Sequence, residues 1–287
     1  MKSLIVNKNY NNKKLSSFLV SCFPRLSINS IFKALRKKDI KLNNIRINTD
    51  VIVHTDDNIS LYISDEILEP SFKLNIVFED ANILVIDKPN NIEVTGEYSL
   101  TYEVHKIYSD SPFKPMPCHR LDRNTTGLIL FAKNENSLNI LLDKFKKHEI
   151  EKHYLALVYG IPPEKNAKLT AYLFKDSKQS LVFISDSPKT GYSKIVTSYS
   201  VLSSYDNNSS LLDVQIETGK THQIRAHLAH IGFPIIGDGK YGNFNVNKKF
   251  GYKFQMLHSY ILKFVFSSDS GSLNYLNGME FKSYCKF

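Results

Sequence analysis

From His119 to Gly127 the chain reads His-Arg-Leu-Asp-Arg-Asn-Thr-Thr-Gly, and it runs without a break into Leu128, Ile129, Leu130, Phe131 and Ala132. Five successive apolar residues read as a buried strand. Any fold for this chain must therefore hold a loop of one imidazole, two guanidiniums, one carboxylate and two hydroxyls at the end of a rigid strand. Asp122 is the only carboxylate in the loop, and its charged neighbours, Arg120 and Arg123, favour its ionised form. Two uses fit such an aspartate. It can organise a turn by accepting the amides of Asn124 and Thr125, or it can stand ready as a nucleophile or base.

A second block, Gly219 to Gly242, reads Gly-Lys-Thr-His-Gln-Ile-Arg-Ala-His-Leu-Ala-His-Ile-Gly-Phe-Pro-Ile-Ile-Gly-Asp-Gly-Lys-Tyr-Gly. Leu211 to Ile216 before it alternates like a strand, and Thr218-Gly219-Lys220 reads as a turn. Thr221 is then expected to cap a helix that buries Ile224, Leu228 and Ile231 and stops at Gly232. His222 and Arg225, three residues apart, share a second face of that helix. His222, His227 and His230 do not fall on one side of it, and no metal site is expected from them.

The formal net charge is +9, and most of it lies near the start. Nine Lys or Arg between Lys13 and Arg46 face one acid, Asp39, a net +8. Such a segment attracts a polyanion by releasing its counterions, although a solvated lysine-rich surface would read the same way. Leu15, Phe18, Leu19 and Cys22 have helical spacing up to Pro24. After Ser27, a natural N-cap, Ile28, Ile31, Phe32 and Leu35 form a second helical stripe, with Lys33, Arg36 and Lys37 turned outward. Ile40–Ile47 reads as a hairpin about Asn43-Asn44, followed by strands around 51–53 and 59–63. Ser64–Lys73, with acids, serines and a proline, reads as a linker.

Beyond it, strands are expected at 74–78 and 83–87, and then an irregular stretch from Asn90 to Pro117. A helix carries Leu138, Leu141, Leu142 and Phe145; Lys144, Lys146, Lys147 and His148 at its end suit either the helix dipole or RNA. Strands follow at 152–160, 180–184 and 194–202, with no chemistry evident between Pro162 and Leu212. Three scattered cysteines, Cys22, Cys118 and Cys285, argue for a reducing compartment. The apolar run near Met1 is too short for a signal peptide, and no stretch approaches the ~20 residues of a membrane span. A cytoplasmic protein without membrane contact is expected.

The two long blocks, about a hundred residues apart, resemble those of the RluA-type pseudouridine synthases, whose loop reads His-Arg-Leu-Asp-x-x-Thr-Ser-Gly; Thr126 stands here where Ser is usual. Lys88-Pro89 after a strand is similar to the family's opening motif. Lys152 to Gly160 is similar to its Lys-x-Tyr-x-Ala-x-Val-x-Gly segment, and Phe254 to Phe264 to its closing strand, without the His-Pro that often follows. The resemblance implies Asp122 as catalytic carboxylate, Arg225 as its partner and Tyr154 as the lining of the uracil pocket; a strand tyrosine taken alone is ordinary packing. It also implies that Arg120 fills the gap left by a flipped nucleotide. His119, Arg123, Thr125, Lys220 and His222 are further expected contacts to RNA, with Lys33, Arg36 and Lys37 in the basic segment.

The expected fold is α+β: residues 74–287 form a catalytic domain on a mixed, largely antiparallel sheet with flanking helices. Residues 1–63 resemble a small S4 RNA-binding domain, joined by a linker at 64–73. The implied activity is isomerisation of uridine in 23S rRNA by a monomer without metal or cofactor. Transfer RNA as substrate, or a catalytically silent ribosome-assembly factor on the same scaffold, are the alternatives.

Overall fold

The computed structural model describes residues 1–24, 26–68, 73–285 and 287. Arg25 of the basic segment and 69–72 of the expected linker lie outside the described residues. The chain divides into two compact units, Met1–Lys73 and Leu74–Phe287.

In the first unit, β1 (Lys2–Ile5), β3 (Ile40–Leu42), β4 (Ile45–Ile47) and β6 (Asn58–Leu61) form an antiparallel sheet in the order β1-β6-β3-β4. β2 (Lys13–Lys14) pairs with β5 (Ile52–Val53). The β3–β4 turn uses Asn43 and Asn44 at φ 46 and 69, the double left-handed geometry that Asn tolerates and a tight hairpin requires. β1 was not expected from the short apolar run at the start; it pairs along its whole length with β6. Helix α1 (Leu15–Cys22) buries Leu15, Phe18 and Leu19, and α2 (Ile28–Arg36) begins at Ser27, whose hydroxyl accepts from the Ser30 amide. Only part of the expected α2 stripe is covered: Ile31 and Leu35 are buried, whereas Ile28 and Phe32 are exposed, because a unit this small has little core to offer. Lys33, Arg36 and Lys37 are exposed. The expected linker is corrected in part: Asp65–Leu68 form a helical turn, α3, and Leu68 is fully buried in the first unit's core. Its acids open that turn, where they complement the helix dipole, instead of breaking structure.

The second unit is built on an eleven-stranded sheet, with the main path β13-β12-β14-β15-β11-β16-β10-β8-β7. Its strands are β7 (Ile76–Glu79), β8 (Ile83–Lys88), β9 (Met116–Pro117), β10 (Thr126–Ala132), β11 (Ile150–Tyr159), β12 (Asn166–Asp176), β13 (Leu181–Ser185), β14 (Ser193–Tyr205), β15 (Ser209–Ile216), β16 (Leu257–Phe264) and β17 (Glu280–Lys282). β9 pairs with β10 and β17 with β16. Only the β10–β16 pairing is parallel; the sheet is otherwise antiparallel. Helices α4 (Leu100–Ile107), α5 (Glu135–Lys146), α6 (Gln223–His230) and α7 (Phe244–Phe250) accompany it, with a short 3-10 turn at Gly271–Leu276; the 3-10 turn at Lys8–Tyr10 belongs to the first unit.

Leu128 to Ala132 of β10 are all fully buried; the leucine, isoleucine and phenylalanine side chains among them each contribute roughly 1.5–3 kcal/mol. The start of this strand is fixed by Gly127, at φ +104, where an added Cβ would lie 2.1 Å from the Ser259 carbonyl oxygen. The stretch expected to be irregular contains α4, capped by Ser99, whose hydroxyl accepts from the Tyr102 amide. The prolines at 112, 115 and 117 all follow that helix and so do not break it. β12 also went unforeseen. Lys144 is neither a surface cation at a helix end nor placed for RNA: it is fully buried, with Nζ 2.7 Å from Glu149 and donating to Ser268. No helix of the described residues is long and apolar enough to cross a membrane.

Candidate active site

The loop before β10 is held from several sides. The Thr125 amide donates to the backbone carbonyl of Asp122 at 3.0 Å, so the turn is made by the main chain and the carboxylate is left for other use. Lys88, fully buried at the end of β8, donates from Nζ to the carbonyls of Pro89, Ile92 and Arg123 at 2.8, 2.9 and 3.0 Å. Three carbonyls around one ammonium tie the loop to β8. Burial brings its pKa down to about 7, against the pull of the Asp122 charge. Thr126 Oγ1 hydrogen-bonds His258 Nδ1 at 2.7 Å, which explains the histidine of the closing strand.

Three of the expected RNA contacts, His119, Thr125 and His222, have partners inside the fold. His119 Nε2 accepts from the Leu130 amide at 3.1 Å, and burial, then the nearby Lys152 charge, push its pKa down to about 3, so the ring is neutral. Thr125 is 2% exposed, and its hydroxyl accepts from Gln255 Nε2. Arg120, Arg123 and Lys220 are exposed. The thiol of Cys118 is buried, and burial pushes it up to about 12, which leaves it inert as a nucleophile.

Opposite the loop stands α6. Its N-cap is His222 rather than the expected Thr221: His222 lies in the left-handed region at φ 52 and makes no side-chain cap. Support comes instead from Gln223, whose Oε1 accepts from Thr218 Oγ1 and the Lys220 amide. Its Nε2 donates to the Val196 carbonyl and Thr197 Oγ1 on β14. His227 Nδ1 bonds the same Thr197 hydroxyl at 3.0 Å, so the stretch between Pro162 and Leu212 anchors this helix.

The left-handed turn brings His222 Nε2 to 3.9 Å from Asp122 Oδ2, and His222 Nδ1 bonds Tyr241 Oη at 2.9 Å. Burial lowers the pKa of His222, and Asp122 opposes the shift. His230 bonds Asp186. The three histidines therefore have three separate partners, and no set of three or more metal-ligating side chains is grouped among the described residues.

Arg225 joins the two blocks. Its Nη1 donates to Asp122 Oδ2 at 2.8 Å, while Nε and Nη2 form a fork on Asp238 at 2.6 and 2.9 Å. The Arg225 and Asp238 side chains are 7% and 0% exposed, but that of Asp122 is 22% exposed. Burial disfavours the charge on Arg225, and the carboxylates of Asp238 and Asp122 more than offset it, so its pKa is raised. Burial likewise opposes ionisation of Asp238, and Arg225 with the Lys240 and Tyr241 amides overcomes it, leaving the pKa lowered. The Tyr241 ring stacks near the guanidinium, with Arg225 Cζ 5.3 Å from its centroid.

These groups border a cavity of about 200 Å³, lined by Asp122, Tyr154, His222 and Arg225 among others. Tyr154 is 5% exposed; burial, then the Asp122 charge, raise its pKa, and the phenol is neutral. The arrangement presents one accessible carboxylate, steadied by a guanidinium, beside an aromatic wall, a setting suited to covalent or general-base chemistry on a planar ring.

Asp238, Lys88, Gln223 and Tyr241 were missed as supports. Asp238 left a legible signal: it is the only acid between Gly219 and Gly242, and an arginine on a helix with a buried face needs one.

A family model described as RNA pseudouridylate synthase matches residues 82–230, which include Asp122, Tyr154 and Arg225. A protein of Mycoplasma capricolum described as an uncharacterized RNA pseudouridine synthase is 33% identical over 298 residues, covering 96% of this chain and 95% of the relative. A ribosomal large subunit pseudouridine synthase C of Rickettsia bellii is 32% identical over 269 residues, 86% of this chain and 87% of the relative. In fold, the chain is similar to Human RNA Pseudouridylate Synthase Domain Containing 1, with a TM-score of 0.61 at 23% identity over 76% of this chain and 86% of that one. With both long blocks meeting in one cavity and this agreement along nearly the whole sequence, the chain belongs to the RluA-type RNA pseudouridylate synthases, a family of isomerases.

Proposed function

We propose that this enzyme converts particular uridines of 23S ribosomal RNA to pseudouridine, with Asp122 as the nucleophile. The observation that carries the reading is the Asp122–Arg225 contact of 2.8 Å on the wall of an open cavity also lined by Tyr154. The reaction breaks the bond from C1′ to N1 and makes one from C1′ to C5. The proton on C5 leaves and N1 gains one, so nothing is oxidised or hydrolysed. Asp122 adds to the nucleotide and holds it while the base turns, Arg225 keeps the carboxylate aimed, and Tyr154 stacks against the uracil. The base must leave its stack first, at a cost of a few kcal/mol; exposed Arg120 takes the vacated place in the RNA, where a planar guanidinium both stacks and bonds phosphate.

Ribosomal RNA is favoured by the relatives named as large-subunit enzymes in Buchnera and Rickettsia. The first unit, with Lys33, Arg36 and Lys37 exposed along α2, acts in this reading as an S4-like RNA clamp on a cytoplasmic, monomeric enzyme. The test uses a transcript labelled with tritium at uridine C5. Wild-type enzyme releases tritium; Asp122→Asn releases none and still binds the RNA. Near-native release by Asp122→Asn removes the nucleophile assignment. Loss of pseudouridines from transfer RNA alone on deleting the gene replaces the substrate.

A further inference from the structure

Beside the cavity at Asp122 opens a second groove of about 460 Å³, and Lys152 lines both. Strand alternation explains this: Lys152 precedes Tyr154 by two on β11 and shares its face. Its Nζ is 5.1 Å from the centroid of the Phe145 ring. Gly219 faces it closely enough that a Cβ there would lie 3.8 Å from Nζ. No carboxylate is within ion-pair distance of Lys152 among the described residues, unlike the buried Lys144, which has Glu149. Withdrawal from water brings the pKa of Lys152 down to about 8, so the ammonium is still mostly charged at neutral pH and has no counter-charge of its own.

The charges around it point to what supplies one. The groove's two acids, Glu151 and Glu217, are met by Lys263 and Lys168 at 3.9 and 2.5 Å, whereas Lys146 and His148 on the same groove add positive or titratable groups. Near the reaction centre, Asp238 takes the fork of Arg225 and Asp122 its remaining prong, so both carboxylates there are engaged by that guanidinium and neither is left for Lys152. A flexible ammonium is a point-charge donor suited to a phosphate oxygen, and a strand delivering a nucleotide to Asp122 carries phosphates on both sides of it.

We propose that Lys152 binds a phosphate of the RNA strand next to the target uridine, and that the second groove is the path by which that strand leaves the site. The proposal rests on the reading that Asp122 receives the nucleotide. It assigns Lys152 to holding the substrate in place, with no part in bond making.

The test measures affinity for an unmodified large-subunit rRNA transcript as a function of KCl concentration. Each phosphate neutralised adds roughly 0.7 to 0.9 to the slope of log K against log salt. Lys152→Gln is expected to flatten the slope by about that amount and to weaken binding roughly tenfold, the effect of one charge-assisted hydrogen bond. Lys152→Arg is expected to restore both. An unchanged slope with turnover lost places Lys152 on the base and overturns the proposal; unchanged slope and turnover overturn it as well. In the wild-type enzyme, the same RNA must also slow acetylation of Lys152 by acetic anhydride, read by mass spectrometry, and failure to protect counts against the proposal even if the variants do not fold. Tritium release from the same transcript by wild-type enzyme checks the Asp122 reading separately, because binding slope and protection are scored without turnover.

Discussion

Asp238→Asn is the most searching perturbation of this site, because it changes one oxygen for an NH2 group and leaves the volume alone. Asp238 takes the Arg225 fork on both oxygens and accepts the amides of Lys240 and Tyr241 at 2.8 and 3.1 Å through Oδ1. Asparagine keeps one acceptor for those amides but turns its other end, a donor, toward a guanidinium that only donates. A buried cation then loses its main counter-charge, an effect of about 3–5 kcal/mol. For a chain of this size that corresponds to a fall in Tm on the order of 10 °C.

Catalysis should suffer separately. With its fork broken, Arg225 no longer holds Nη1 at 2.8 Å from Asp122, and a displacement of about 1 Å at a reacting group lowers kcat about 100-fold. Arg225→Met combined with Asp238→Asn tells the two effects apart. Removing the stranded cation should recover much of the lost Tm and none of the activity. Thermal unfolding and tritium release from uridine C5 are the assays. If Asp238→Asn unfolds within a few degrees of wild type and turns over at a similar rate, Asp238 is not what positions Arg225.

Two further outcomes follow from the geometry. Gly127→Ala places a methyl group 2.1 Å from the Ser259 carbonyl oxygen at φ +104, so the variant should yield no folded catalytic unit; a soluble, active Gly127→Ala enzyme would show that the β10–β16 contact is looser than described. The pH dependence of stability is set between pH 6.5 and 5 by buried histidines. Burial, with Lys152 nearby, holds His119 at about 3, and burial, with His230 nearby, holds His227 at about 4. Folded pKa values below the unfolded ~6.5 mean that the unfolded chain takes up protons the folded one refuses, so stability present above pH 6.5 is lost as pH falls. At about 1.4 kcal/mol per pH unit for each histidine, the loss by pH 5 is roughly 4 kcal/mol for the two, with His222 and His258 shifted in the same direction. Urea unfolding from pH 7.5 to 5 checks this: His227→Asn should flatten the curve, and a pH-independent midpoint in wild type contradicts the assignment.

Much of this architecture was legible because its determinants are local. The apolar run after Gly127, the Ser27 cap and the Asn43-Asn44 turn each state their conformation within a few residues. That Asp122, Arg225 and Tyr154 would meet at one cavity was legible because they stand in long motifs. What stayed hidden depends on partners distant in sequence. Lys144 reads as a solvated cation until Glu149 and Ser268 fold around it. Gln223 and Thr197 look like unremarkable polar residues, yet their contact fastens α6 to β14. β12 is masked by its polar outer positions, and α4 by the prolines crowded beyond its end. His222 defies local reading altogether: a non-glycine residue takes the left-handed region only when its surroundings enforce it, and here Tyr241 and Asp122 are what it meets on doing so.

The division of Arg225 between two aspartates has a consequence for the proposed reaction. An ion pair between Asp122 and Arg225 alone would hold while the carboxylate is free and vanish once that carboxylate is bonded to the nucleotide, leaving a buried guanidinium unpaired at the point where the base must turn. An uncompensated charge of that kind raises the energy by several kcal/mol, enough to make the intermediate rarer by a factor of a hundred or more. Asp238, fully buried and joined to Arg225 by two bonds, keeps the cation paired in both states. Asp122 is then bound by a single hydrogen bond that it can give up, which is what a nucleophile requires. The inequality of the two contacts, a fork on the hidden aspartate and one prong on the more accessible one, is what the proposed mechanism asks of an arginine that must orient the nucleophile without trapping it.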